Sequence, residues 1–106
     1  EINFKDSSKN CKQVHCFSNI FSKDKKMLTK YLSYKKIQTR ECFYPLNLQP
    51  CFKKNKQIKN LNGNFQISKK IFDNLISLPS SYDLTKKDLD KIILNIKKFY
   101  VKKYRD

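Results

Sequence analysis

Among the 106 residues there is one glycine, one histidine, one methionine and no tryptophan. The apolar runs are only a few residues long, so none approaches the roughly 20 needed to cross a bilayer. The opening stretch Lys5-Asp6-Ser7-Ser8-Lys9-Asn10 is polar where a targeting signal would be hydrophobic or amphipathic. With Glu1 rather than a methionine at its start, the chain reads as a fragment of a soluble, cytoplasmic protein. Its length suits one modest domain with a single core and is too short for an active site built between two full domains.

Metal and disulfide frameworks are also missing. Cys11, Cys16, Cys42 and Cys51 contain no C-x-x-C pair, and His15 is the only histidine that could join them. Four cysteines could in principle form two disulfides. Without a secretory signal, free and mostly buried thiols in a reducing cytosol are expected instead, and no metal site.

Arginine is scarce as well, and this bears on the net charge of +15. Such a charge makes nucleic acid or an anionic substrate the first partner to consider. Yet lysine is spread through every segment, arginine occurs only as Arg40 and Arg105, and lysine lacks the planar fork suited to bidentate recognition. A solvated lysine surface is the plainer reading, and nucleic acid is not expected as the partner.

What is present patterns as alternating strand and helix. Lys12 to Phe21 is dense in aromatic and β-branched residues and predicts a strand, with His15, Phe17 and Phe21 on one face. Here His15 is expected to be a strand residue satisfied by a neighbouring carbonyl. Ser22 or Asp24 can cap a helix running to about Lys35, with Met27, Leu28, Tyr31 and Leu32 as its apolar stripe. A turn then leads into a short strand that ends before Pro45 and Pro50. Residues 50–64, with Gly63, show no period and predict a mobile surface loop.

Ser68 can cap the next helix, whose apolar positions are Ile71, Phe72, Leu75 and Ile76, before Leu78-Pro79-Ser80-Ser81 forces an extended segment. Thr85 and Asp88 have the spacing of a capping box, with Leu84 and Leu89 placed to clasp across it. Leu89, Ile92, Ile93, Ile96, Phe99 and Tyr100 then predict a long amphipathic terminal helix that packs on the sheet. Together these elements predict an α/β class, in the form of an α+β two-layer sandwich with helices covering a small sheet.

Three segments, in order, carry a resemblance. Lys35-Lys36-Ile37-Gln38-Thr39-Arg40 resembles a K-G-I-x-T-R turn. Phe43-Tyr44-Pro45-Leu46-Asn47-Leu48-Gln49-Pro50 resembles an aromatic-Y-P-L-H-x-Q-P segment. Phe65 through Ser81, followed by Leu84-Thr85, resembles an S-x-x-L-x-L-P-x-x-x-x-L-T ending. These are motifs of pyridoxal-phosphate-dependent sugar aminotransferases of the DegT/DnrJ/StrS type, and the L-P-S-S variant looks most like perosamine-synthase-type members.

The resemblance implies that residues 1–106 are the C-terminal small domain of a fold-type I aminotransferase. Such an enzyme moves an amino group from glutamate to a nucleotide-linked keto-deoxy sugar for glycan or polysaccharide biosynthesis, as a homodimer. Pyridoxal phosphate and its Schiff-base lysine then belong to a large domain outside this segment, so no catalytic or cofactor-binding residue is expected here. A dehydratase using the same cofactor without that lysine is a related possibility within the family.

Arg40 stands where the family has its arginine, and a guanidinium suits a sugar hydroxyl, a phosphate or a carboxylate. With Tyr44 and Asn47 it makes up the expected substrate-binding set. The plainer alternatives are a salt bridge of Arg40 with Glu41 or with the terminal helix, and packing or loop bracing for Tyr44 and Gln49. Three departures stand out: Lys36 replaces the turn glycine, Glu41 the usual proline, and Asn47 the usual histidine. Lys36 must either tolerate the left-handed region or alter the turn. Asn47 keeps a donor and an acceptor but carries no charge near neutral pH. Outside the family, the alternatives are a small basic nucleic-acid-binding module and a non-catalytic remnant with apolar surface left uncovered.

Overall fold

A computed structural model describes residues 10–12, 16–53 and 65–105. In chain order these form β1 (Ser18–Phe21), α1 (Lys25–Tyr34), β2 (Arg40–Glu41), a 3-10 turn (Leu46–Leu48) and α2 (Pro50–Lys53). Then come α3 (Gln66–Asn74), β3 (Leu75–Leu78) and α4 (Lys86–Lys103). The strands make one sheet in the order β1-β3-β2, with β3 antiparallel to both neighbours. Strands β1 and β2 therefore run the same way, joined by α1, with the later strand inserted between them as in a split βαβ unit. Helices over a small antiparallel sheet are the α/β architecture expected from the sequence.

The core follows from alternation in the strands and the helical repeat. Ile20 of β1 lies opposite Ile76 of β3, and both are fully buried. Leu28 and Leu32 of α1, Ile37, and Ile92 and Ile96 of α4 close over them in one cluster. Tyr31, Leu78, Phe99 and Tyr100 pack around its edge, with the Tyr31 and Phe99 rings 5.4 Å apart.

Helix α1 ends by a Schellman arrangement. The Ile37 amide bonds the Leu32 carbonyl and the Lys36 amide bonds the Ser33 carbonyl, each at 2.9 Å. The turn places Lys36 at φ 57°, where the resemblance has glycine, so lysine adopts the left-handed conformation and the turn is kept. In return Ile37 is delivered into the core beside Leu32.

Helix α4 begins with the expected capping box. Thr85 Oγ1 accepts from the Asp88 amide at 3.2 Å, and the Asp88 carboxylate accepts from the Thr85 amide at 3.0 Å. The Thr85 hydroxyl, which also donates to the Asp88 carboxylate at 2.5 Å, and then the Thr85 amide hold the Asp88 carboxyl below its usual range. At its far end α4 is latched to the start of α1. Tyr100 Oη and Ser22 Oγ share a hydrogen bond of 2.5 Å, and Lys103 forms an ion pair with Asp24. Burial raises the Tyr100 phenol, against the opposing effect of the Ser22 bond. The Asp24 bond raises Lys103.

Several expectations are corrected. Leu75 and Ile76 continue the apolar spacing of α3, yet they open β3, the central strand. Their side chains are needed opposite Phe21 and Ile20, and pairing on both edges outweighs one more helical turn. Ser68 lies inside α3, whose N-cap position is Phe65. Residues 50–53 are helical rather than loop, because Pro50 occupies the first helical position, where its missing N–H is not needed. The rest of that loop, residues 54–64, lies outside the described residues, as does His15.

The strand expected from Lys12 is confined, among the described residues, to Ser18–Phe21. Its buried side chain is Ile20, on the face opposite to that of Phe17 and Phe21. In α1, Met27 is 52% exposed while Lys25 is buried, so the inward stripe runs through 25, 28 and 32. Asp24 holds the N-cap position without a side-chain cap bond, and Ser22 Oγ instead accepts the Asp24 amide at 3.1 Å. All four cysteines are free, but Cys11, Cys16 and Cys51 are exposed and Cys42 half-buried, so the expectation of mostly buried thiols fails. Among the described residues no helix is long and apolar enough to cross a membrane.

Candidate functional site

The face of the sheet turned away from the core carries a polar row. Arg40 of β2 is registered opposite Ser77 of β3, and Ser77 opposite Asn19 of β1. Residues in register share a face, so the three side chains lie on the side opposite Ile20 and Ile76. Ser77 Oγ donates to Asn19 Oδ1 at 2.7 Å. Ser77 is itself buried, while Asn19 and Arg40 are exposed.

A hollow of about 350 Å³ opens on this row, where β3 runs out into Pro79 and Ser80. Its polar lining comes from Arg40, Gln38, Ser77, Ser80 and Ser81, and Phe17 forms an apolar wall. Ser80 Oγ donates to the Cys16 carbonyl at 3.3 Å, tying the rim to the approach of β1. Among the described residues no acidic side chain and no lysine lines the hollow. Two segments that the sequence singles out separately, the turn ending in Arg40 and Leu78-Pro79-Ser80-Ser81, thus meet at one place.

Arg40 makes no ion pair among the described residues. Glu41 points to the other side of the sheet, where its carboxylate lies 3.5 Å from Lys25 Nζ. Lys25 in turn donates to the Phe72 carbonyl at 2.7 Å and sits 4.7 Å from the centre of the Phe72 ring. One buried amine therefore ties α1 to β2 and α3. The salt bridge with Glu41 considered for Arg40 is made by Lys25 instead, so no described carboxylate pairs with the guanidinium.

Tyr44 and Asn47 are placed differently. Neither lines the hollow. Tyr44 sets its ring edge-on to Phe72 with centroids 5.1 Å apart, which fits the packing alternative. Asn47 lies half-buried in the 3-10 turn. Gln38 and Ser80 line the hollow and were noted only as parts of their motifs, and Ser77 lines it without having been singled out. Alternation could have found Ser77, had its segment been read as a strand.

A second hollow of about 570 Å³ lies between the start of α1 and α3, with Lys23, Lys25, Lys26 and Lys69 beside Asp24 and Asp73. Its charges largely answer one another: Lys69 bonds Asp73 at 2.7 Å, and Asp24 holds Lys103.

Pyridoxal phosphate requires an amine of lowered pKa, an acid for its ring nitrogen and a cup for its phosphate. The first hollow offers only a possible phosphate contact, through Arg40 and the serine hydroxyls. In the second, hydrogen bonding to Asp73 raises Lys69, the wrong direction for a nucleophile, and Lys25 is committed to Phe72. The described residues do not fit the whole cofactor, and among them no group of side chains could hold a metal ion.

No curated protein matches the chain closely enough to count as a relative. The family model described as DegT/DnrJ/EryC1/StrS aminotransferase matches residues 1–97, which takes in all three strands, the residues lining both hollows and most of α4. With so much of the sequence matched, the chain belongs to the DegT/DnrJ/EryC1/StrS aminotransferase family.

Proposed function

We propose that residues 1–106 are the C-terminal small domain of a cytoplasmic, dimeric aminotransferase that moves an amino group from glutamate to a nucleotide-linked keto-deoxy sugar. Perosamine-type substrates are the first to try, on the strength of Leu78-Pro79-Ser80-Ser81. Pyridoxal phosphate, held by a large domain, supplies the electron sink. This segment binds and orients substrate.

The observation that carries the proposal is Arg40, free of any described carboxylate and lining a hollow on the uncovered side of the sheet. Its guanidinium donates to a phosphate or sugar oxygen, while Gln38 and the serine hydroxyls offer neutral partners for sugar hydroxyls. Tyr44 and Asn47, on the segment after β2, complete the substrate-binding set from outside the hollow, Tyr44 with its ring packed on Phe72 and Asn47 offering a donor and an acceptor.

The test extends the reading frame upstream of Glu1. A large domain with a lysine that binds pyridoxal phosphate is expected there, and the whole protein should transfer nitrogen from glutamate to a nucleotide-linked 4-keto-6-deoxy sugar. Arg40→Ala in that protein should lower kcat/KM by about 10-fold or more, the value of one charge-assisted hydrogen bond. The 106-residue chain alone should give no stoichiometric, borohydride-trappable adduct with pyridoxal phosphate. Such an adduct at one lysine would place the chemistry within this segment and overturn the proposal.

A further inference from the structure

Phe43 is 82% exposed, and its ring partner is Phe17, edge-on with centroids 6.1 Å apart. Phe17 is itself 42% exposed and lines the hollow that holds Arg40. A single exposed phenylalanine is ordinary. Two in contact, abutting a hollow in which Arg40 is the one charged side chain among the described residues, define a surface with a particular complement.

That complement has three parts. A flat π system stacks on the face of one of the two perpendicular phenyl rings and meets the edge of the other, an anion meets Arg40, and hydroxyl groups meet Ser77 and Ser80. Ser77 already spends its hydrogen on Asn19, so toward a ligand it offers an acceptor, which suits a hydroxyl donor. A nucleoside diphosphate has all three features joined in that order: base, ribose and phosphates. The absence of acidic side chains from the hollow's lining favours this anion. The hollow, about 350 Å³ and open, suits phosphates and ribose with the base lying outside on the rings.

We infer that the Phe17–Phe43 pair is a stacking platform for the base of a nucleoside diphosphate whose phosphates meet Arg40. The inference rests on the proposed nucleotide-sugar function and specifies which residues grip the nucleotide. Stacking on a phenyl ring does not discriminate strongly among bases, so purine and pyrimidine diphosphates both bind. Selectivity for the sugar then comes from elsewhere.

The experiment titrates the 106-residue chain with ADP, UDP and inorganic pyrophosphate at millimolar concentration, followed by NMR. ADP and UDP should shift the ring protons of Phe17 and Phe43 and the side chain of Arg40, whereas pyrophosphate should shift Arg40 alone. Phe43→Leu should weaken ADP and UDP about 10-fold and leave pyrophosphate unchanged, with binding restored in Phe43→Tyr. Arg40→Gln should weaken all three probes about 10-fold.

Unchanged ADP and UDP affinity in Phe43→Leu overturns the platform while leaving the role of Arg40 standing. If instead Arg40→Gln has no effect and Phe43→Leu does, the platform stands and the proposed role of Arg40 fails. No binding of any probe to a chain with a well-dispersed amide spectrum overturns both. Because Phe43 is so exposed, its variants should retain that spectrum, which serves as the folding control.

Discussion

Ile76 and Ser77 are neighbours in the same strand and face opposite worlds. Ile76, with Ile20 opposite, is sealed by α1 and α4, whereas Ser77, flanked by Asn19 and Arg40, floors an open hollow. The buried centre of one face is aliphatic, and the other carries the row Asn19, Ser77 and Arg40, with no described carboxylate paired to the guanidinium. Stability and ligand chemistry are therefore separable by the period-2 alternation of a four-residue strand. Substitutions on the two sides should have different signatures.

The largest effect tests the covered side. Ile76→Ala should cost about 3 kcal/mol in urea unfolding, because it removes a fully buried side chain and leaves a cavity. A loss below about 1 kcal/mol would mean that the covered face is not the true core. Thr85→Ala should cost about 1 kcal/mol through the lost cap of α4. It should leave any nucleotide affinity unchanged, and a matching loss of affinity would break the separation.

Lys36→Gly should stabilise by about 1 kcal/mol, since the left-handed turn strains a residue with a Cβ. Destabilisation there would show that the turn is not the Schellman end described. Alkaline titration gives a direction only. The Tyr100 phenol is raised by burial in the folded chain, so the latch contribution is intact below the ordinary phenol range of about 10. It is lost as pH rises through that range towards the raised folded value. Tyr100→Phe should flatten the loss, as read by Tm against pH. The smallest effect belongs to the open side: Arg40→Gln should alter unfolding free energy by no more than about 0.5 kcal/mol. A larger change would give Arg40 a structural rather than a ligand role.

The same contrast explains what was legible in the sequence. Capping chemistry at Thr85–Asp88 is local and is found where the residues predict it, whereas of the expected α4 stripe Ile92, Ile96, Phe99 and Tyr100 meet the core and Leu89 and Ile93 are exposed. The left-handed turn at Lys36 is one of the two outcomes that the departure from glycine at that position leaves open. Strand β3 was not anticipated, because Ile71, Phe72, Leu75 and Ile76 fit one helical stripe. What breaks that stripe is partners more than 30 residues away, at Ile20 and Glu41. Lys25 was missed for a similar reason: burying an amine makes sense only with the Phe72 carbonyl and the Glu41 carboxylate in place. For the candidate site, Arg40 was visible from its motif, while Ser77 depended on knowing the register.

The insertion of β3 between two earlier strands has a consequence for synthesis. As the chain leaves a ribosome, β1, α1 and β2 emerge well before Leu75, yet among the described residues β1 and β2 pair only with β3. Until Leu78 clears the exit tunnel, the sheet formed by the described residues lacks its central strand, so termination before that residue leaves β1 and β2 without the strand that joins them.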